Sequence, residues 1–261
     1  MPERSPSEMF NVAASSYDRL IGRYAGRLAE AFADAAGVAA PQRALDVGCG
    51  PGALTAELVR RLGADRVAAV DPSEPFVAEC RRRNPGVTVQ LGAAEALPYP
   101  DDAFEAALAQ LVLHFVQDAD AVGSELRRVV VPGGIAGGCV WDFTGGMRVL
   151  RAFWDAARAI EPDAPDETNL HFGNEGEIGR QLEASGFRDV EAGALDITGE
   201  YDDFEDLWAG FTGGVGPSGS FCMSLPEERR GELKAGLFER VGSPKGPFSL
   251  PARAWYGLGR A

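Results

Sequence analysis

Residues Ala44 to Gly52 read ALDVGCGPG, an apolar run entering three glycines at alternate positions, Gly48, Gly50 and Gly52. Glycine is needed where the chain turns with positive φ and where a ligand lies directly on the backbone. A loop that sets a pyrophosphate on a helix N-terminus spaces its glycines as GxGxxG. Here the third glycine arrives one residue early, and Pro51 has no N–H to offer a phosphate. The spacing suits a ligand without phosphates. The second requirement for a nucleoside is an acid closing the next strand, because a carboxylate there accepts both hydroxyls of a ribose. Asp71 stands at the end of VAAVD, 21 positions after Gly50. Taken singly, the loop also reads as a tight strand–helix turn and Asp71 as a helix cap. Together they are far more specific.

The elements that must position these residues alternate. Tyr17, Leu20, Ile21, Tyr24, Leu28 and Phe32 recur at helical spacing and predict an amphipathic helix ending near Gly37. Strands are predicted over 44–47, 67–70, 88–91, 104–111 and 135–140, with helices over about 52–62, 74–83 and 118–130 between them. Such alternation implies right-handed crossovers and a parallel sheet covered on both faces. After Trp141 the pattern changes to a helix carrying Leu150, Phe153, Trp154, Ala157 and Ile160, a Pro/Asp-rich stretch over 161–167, and another helix over 175–185. A strand over 190–201, a helix carrying Leu233, Leu237 and Val241, and a last strand over 252–259 follow. The aromatic, Gly-rich segment 204–220 reads as part of a cap, too short for a core of its own. The reading is one domain over 1–261: a cap helix over 1–37, a core over 38–141, and the remaining strands with cap insertions over about 142–174 and 202–247.

The chain has 261 residues, 25 Lys+Arg against 39 Asp+Glu, and a formal charge of −14. That balance argues against a nucleic-acid backbone or an anionic membrane surface as partner. The four Cys are scattered without metal-ligand spacing, and only His114 and His171 are present, which argues against a disulfide framework, zinc and His-rich metal chemistry and points to a reducing cytosol. No signal-peptide core and no run of about 18 apolar residues occurs, so a cytoplasmic protein is the expectation. Arg81-Arg-Arg83 reads as a solvated helix end, favourable against the macrodipole.

The motifs LDVGCGPG (Leu45–Gly52), VAAVDPS (Val67–Ser73), GAAEALPYPDDAFEAALAQLVLHFV (Gly92–Val116) and ELRRVVVPGG (Glu125–Gly134) resemble those of class I S-adenosylmethionine-dependent methyltransferases. Within that class they look like the ubiquinone/menaquinone-biosynthesis (type 11) branch. The resemblance covers roughly 10–141. It implies a Rossmann-like α/β fold: a doubly wound, mainly parallel seven-stranded sheet with an antiparallel last strand and a helical cap. It also implies S-adenosylmethionine as cofactor and S-adenosylhomocysteine as product. By the same resemblance, Asp46 and the loop residues Gly48, Cys49 and Gly50 hold the cofactor's amino-acid end, the loop amides serving its carboxylate. Asp71 takes the ribose, Pro72 and Ser73 flank the adenine, and Gln110 faces the methionine portion. Ala93 stands where the family carries Asp or Asn, so adenine recognition passes to the Ala94 backbone and the Glu95 side chain. Tyr17 and Tyr24 close over the cofactor and Arg23 pairs its carboxylate, the alternative being that the tyrosines pack their helix on the sheet.

Methyl transfer from a sulfonium is an in-line displacement helped mainly by positioning in a water-poor pocket. An oxygen or nitrogen acceptor also profits from a base near neutral pKa. His114, following the fourth strand, is the best candidate, with His171 and Asp142 as further ones. Both of these also read as surface or turn residues. Trp141, Trp154, Trp208, Phe211 and Phe221 predict an aromatic-walled acceptor pocket, although each alone is as easily core. The expected function is methyl transfer to a small apolar or aromatic molecule at O, N or C, with homodimerisation left open. A nicotinamide-dependent oxidoreductase and a non-catalytic S-adenosylmethionine-binding protein are the alternatives.

Overall fold

The computed structural model describes residues 18–214 and 216–261. Tyr17, an expected cofactor contact, lies outside them. The strands are β1 (Ala44–Val47), β2 (Val67–Asp71), β3 (Thr88–Leu91), β4 (Phe104–Gln110), β5 (Val130–Trp141), β6 (Arg188–Tyr201) and β7 (Phe248–Arg260). They form one seven-stranded sheet in the order β3-β2-β1-β4-β5-β7-β6. β1 pairs in parallel with β2 and β4, β2 with β3, and β4 with β5. β7 runs against β5: Ala261 exchanges bonds with Gly133 and Gly134, while Asp142 N reaches back to Arg253 O. The expected sheet, with its antiparallel last strand, is the observed one.

The helices are α1 (Arg23–Ala35), α2 (Ala53–Leu62), α3 (Glu74–Arg83), α4 (Ala119–Val129), α5 (Arg148–Ile160), α6 (Glu177–Ala184), α7 (Phe204–Thr212), α8 (Gly216–Ser224) and α9 (Glu227–Arg240). A π-helical turn, Asp18–Gly22, precedes α1. α2 buries Leu54, Thr55, Leu58 and Leu62 at helical spacing. α3 ends in its three arginines, of which Arg82 and Arg83 pair with Glu79 at 2.7 Å. The basic run is a paired helix end. α4 and β5 meet at Val129 and Val130, so the strand begins five residues before the expected Ile135. Its β-branched VV start is the reason.

The chain divides into two compact units. One comprises residues 25–140, 170–195 and 254–261. Its core joins Leu45, Val47, Ala107 and Ala109 of the sheet to Val122 and Leu126 of α4 and Ile178 and Leu182 of α6. The other comprises the described residues up to 24, then 141–169 and 196–253. There Phe153 stacks on Phe211 at 4.3 Å, and Trp154 and Phe221 lie 5.5 Å apart.

Candidate functional site

The glycine turn follows β1 and is closed from within. Gly48 N and Cys49 N both donate to Val70 O of β2, at 2.8 and 3.0 Å, and Gly52 N donates to Cys49 O at 2.9 Å. Gly50 N donates to Asp71 Oδ2 at 2.8 Å. With Pro51 lacking an N–H, every amide from Gly48 to Gly52 is committed inside the protein. An anion therefore finds no donors in this turn, neither a pyrophosphate nor the cofactor carboxylate that the loop amides were expected to serve. Gly50 adopts φ +52, and a Cβ built there meets nothing within 4 Å. The turn needs glycine here for its left-handed backbone, and its face is open for a ligand to lie on.

Asp71 ties this turn to the next one. Its Oδ1 accepts from Ser73 N at 2.8 Å while Oδ2 takes Gly50 N. Burial raises its pKa, and the bonds from Ser73 and Gly50 counter that. Each carboxylate oxygen accepts more than one hydrogen bond, so both keep capacity for a sugar diol.

Beside it lie buried polar atoms with no partner among the described residues. Register places Asp46 of β1 opposite Ala69 of β2 and Leu108 of β4. Thr55 Oγ1, in the first turn of α2, donates to Asp46 Oδ2 at 2.5 Å, whereas Asp46 Oδ1 has no partner. Burial pushes the Asp46 carboxyl up to about 8, partly offset by Thr55. Gln110, the last residue of β4, donates from Nε2 to Ala25 O at 3.1 Å and leaves Oε1 buried and unpaired. Ser73 Oγ, just past β2, is in the same condition. These three strands are neighbours in the sheet, so the unpaired atoms share its carboxyl edge. Buried polar atoms are almost always satisfied, and a local group of exceptions calls for a donor from outside the chain. An ammonium beside Asp46 and Gln110, with a diol on Asp71, meets that requirement. The residues present therefore fit S-adenosylmethionine. Thr55 was not anticipated from sequence; its signal is a Thr in the helix turn facing the strand acid, nine residues on.

Other expected contacts are placed less directly. Ala94 is buried and Pro72 exposed. Glu95 Oε1 accepts from Gln117 N at 3.0 Å. His114 is 3% exposed, and its Nδ1 bonds the main-chain carbonyl of His171. A carbonyl only accepts, so Nδ1 carries the proton and Nε2 is the basic nitrogen of the neutral ring. The two histidines are thus brought together, but His171 contributes backbone, with its residue exposed. Leu111, between β4 and the turn carrying His114, holds φ 63, a costly conformation for a bulky residue and of the kind found at functional sites.

Three further expected site residues have partners within the protein. Asp142 Oδ1 accepts from Thr144 N, Thr144 Oγ1 and Gly145 N, at 3.0, 2.5 and 3.3 Å. It is a turn residue, holding the chain that leaves β5. Arg23 forks onto Asp206 at 2.9 and 3.0 Å, gives a further bond to Glu200 O and lies 4.1 Å over the Tyr201 ring. These bonds engage its guanidinium within the protein. Tyr24 is fully buried, with its hydroxyl 2.9 Å from that of Tyr201 and its ring against Gly199. Of the aromatic set, Trp154, Phe211 and Phe221 gather around Phe153, Trp208 stands 6.5 Å from Phe211, and Trp141 is edge-on to Tyr24 at 6.0 Å. Sequence reasoning missed Glu167 among them. Trp154 Nε1 donates to its Oε2 at 2.6 Å, and burial raises its pKa to about 7.

Among the described residues, no group of three or more His, Cys, Asp or Glu is placed to hold a metal, and no helix is long and apolar enough to cross a membrane. Residues 45–137 match the family described as methyltransferase domain. A malonyl-[acyl-carrier protein] O-methyltransferase of Halorhodospira halophila is 32% identical over 153 residues, 57% of this chain and 49% of that protein. A trans-aconitate 2-methyltransferase of Methylobacterium nodulans is 37% identical over 100 residues, 37% of each chain. The match thus spans less than half the length of either relative. A solved structure of a putative type II methyltransferase from Anaeromyxobacter dehalogenans superposes with TM-score 0.60 at 24% identity, covering 91% of this chain and 95% of that one. That likeness shows the fold. Over residues 45–137 the chain is thus similar to the methyltransferase-domain family.

Proposed function

We propose that the protein transfers the methyl group of S-adenosylmethionine to a small molecule, apolar or aromatic, at O, N or C. One observation carries the reading: a glycine turn whose amides are all consumed internally, beside three buried acceptors that have no partner among the described residues. That pattern rejects phosphates and invites a cationic nucleoside. Asp46 and Gln110 would hold its ammonium, Asp71 its ribose, and Ser73 with Ala94 and Glu95 would border its base. When bound, the cofactor supplies a methyl group on a positively charged sulfur.

The chain's own part is positioning and proton removal. The carboxyl edge of β1, β2 and β4 fixes the ligand in register with the turn after β4. His114 takes a proton at Nε2 from an acceptor O–H or N–H, while the His171 carbonyl keeps the other nitrogen protonated and the ring oriented. Ionisation of Asp46 beside a cationic ligand is favourable, because the opposite charge offsets the burial that holds it neutral.

Transfer of label from S-[methyl-³H]adenosylmethionine tests this, using a panel of phenols, aryl amines and dicarboxylic acids. The acids enter because of the two relatives' names. Labelled product from at least one class, abolished by excess S-adenosylhomocysteine, is expected. Tight binding of S-adenosylhomocysteine with no transfer to any class would favour a non-catalytic binding protein.

A further inference from the structure

Among the described residues, Asp102, Leu111, Phe172, Asp189 and Ser243 hold positive φ without being glycine. Aspartate tolerates that backbone through local hydrogen bonds, whereas large apolar side chains resist it. The two large apolar ones, Leu111 at φ 63 and Phe172 at φ 62, stand at the two ends of one contact, the bond between His114 Nδ1 and the His171 carbonyl. Leu111 opens the turn that carries His114, and Phe172 directly follows His171. Such backbone persists only where its surroundings over-determine it. The His114 end is pinned three times. Leu111 N donates to Cys139 O of β5 at 2.8 Å. Val112 packs so closely on the glycine turn that a Cβ at Gly48 would overlap its side chain. Leu113 is buried, with its Cδ1 2.7 Å from where a Cβ on Gly138 would stand.

The His171 end depends on Phe172. Its half-buried ring packs against the core that joins the sheet to α4 and α6. The angle φ is rotation about the N–Cα bond. With the ring anchored, φ of Phe172 therefore sets the plane of the preceding peptide and the direction of the His171 carbonyl. In the ordinary right-handed region that plane would be turned by roughly 120°, and the carbonyl would leave Nδ1. We propose that Phe172 is a positioning residue for His114: its anchored ring and left-handed backbone aim the His171 carbonyl at Nδ1 and so fix which ring nitrogen can take a proton. Neutral histidine in water carries its proton mainly on Nε2. A carbonyl held at Nδ1 reverses that preference, because it accepts a bond only from a protonated nitrogen. The exposed His171 side chain has no part in this. The backbone on either side of the bond does the work, and its strain is spent on the tautomer of one buried ring.

The orientation of the ring does not depend on what the protein catalyses; its use as a base rests on the methyl-transfer reading above. The test records the ring ¹⁵N signals of the full chain at alkaline pH, where both histidines are neutral. His114 is assigned by the loss of its signals in His114→Gln. Phe172→Leu and Phe172→Val both keep an apolar side chain, but the β-branched one resists positive φ far more. The expected result is an Nδ1–H ring for His114 in the native chain and in Phe172→Leu. In Phe172→Val about half or more of that tautomer should be lost, with S-adenosylhomocysteine affinity unchanged. With the panel acceptor that carries most label, transfer by Phe172→Val should fall at least about tenfold, and Phe172→Leu should restore it. A native ring protonated on Nε2, or Phe172→Val that keeps the Nδ1–H tautomer, overturns the proposal. A parallel loss of S-adenosylhomocysteine affinity in Phe172→Val also overturns it, since the effect is then a general loosening. Should Phe172→Val not fold, Phe172→Ala, which lacks the anchoring ring, is read by the same signals. Loss of the tautomer with an unchanged transfer rate refutes His114 as the base and upholds Phe172 as the residue that orients it. Absence of label transfer in the native chain refutes the methyl-transfer reading, and the ring signals still decide the role of Phe172.

Discussion

In the unit of residues 25–140, 170–195 and 254–261, Asp46 Oδ1, Ser73 Oγ and Gln110 Oε1 are buried without partners among the described residues. In the other unit, Asp166 sits between Arg151 and Arg158 at 3.1 and 2.6 Å, Arg23 forks onto Asp206, and Glu167 takes the Trp154 indole. Both interiors bury polar groups. The first leaves acceptors open at one sheet edge, at a cost of about 1–3 kcal/mol for each unsatisfied atom. The second closes its charges on one another around stacked aromatic rings. A cluster of open acceptors is what a ligand site looks like from inside, and a closed network is what a scaffold looks like. The residue types do not separate the two cases, since acids and aromatics occur in both.

The largest expected effect falls on the scaffold side. Phe211→Ala removes a ring stacked on Phe153 and should cost about 3–5 kcal/mol of stability in urea denaturation. S-adenosylhomocysteine affinity of the molecules that remain folded should stay the same; a parallel loss would blur the comparison. On the ligand side, His114→Ala should lower kcat about 10²-fold or more with little change in KM for the cofactor. Recovery of rate at high pH, where the acceptor ionises unaided, would sharpen the assignment, and an unchanged kcat would remove it. Asp71→Ala should weaken S-adenosylhomocysteine by about 1–3 kcal/mol in calorimetry, the range for a buried polar partner left unpaired.

Asp46 allows a test by pH. Its folded value, about 8, lies above the ordinary 3.8. Its contribution to stability is therefore complete below about pH 4. It is withdrawn as pH rises and is gone above about pH 8, at a slope of at most about 1.4 kcal/mol per unit. Ligand-free stability between pH 5 and 8 should decline more steeply in the native chain than in Asp46→Asn. Identical profiles would show that Asp46 is not held neutral. The smallest effect belongs to His171→Ala, which keeps the carbonyl that orients His114 and should change stability by less than about 0.5 kcal/mol and the rate hardly at all. A rate loss equal to that of His114→Ala would show that its imidazole, not its backbone, takes part.

The ligand edge was largely legible in the sequence because glycine spacing and the strand-end acid encode backbone geometry directly. Gly50, Asp71 and Gln110 lie where strand ends and turn chemistry require. The direction of the hydrogen bonds was not legible. That the loop amides turn inward to Val70 and Asp71 depends on how β2 sits against the turn, a contact between segments distant in sequence. Arg23 shows the same limit: its position in the leading helix suggested an anion partner, and the partner is Asp206, 183 residues away. The helices α7 and α8 were not legible within the Gly-rich segment 204–220, read only as part of a cap, because Gly210, Gly216 and Gly219 lie inside them. There tertiary packing, with Gly210 pressed on Leu20 and Gly219 on Gly214, overrides weak helix propensity.

Parallel calorimetric titration of the reduced chain with S-adenosylhomocysteine and with NADH bears most directly on the proposal that the glycine turn receives a phosphate-free nucleoside. The expected outcome is saturable binding of S-adenosylhomocysteine, one per chain, weakened in Asp71→Ala, with no heat from NADH. Binding of NADH in preference to S-adenosylhomocysteine would contradict it.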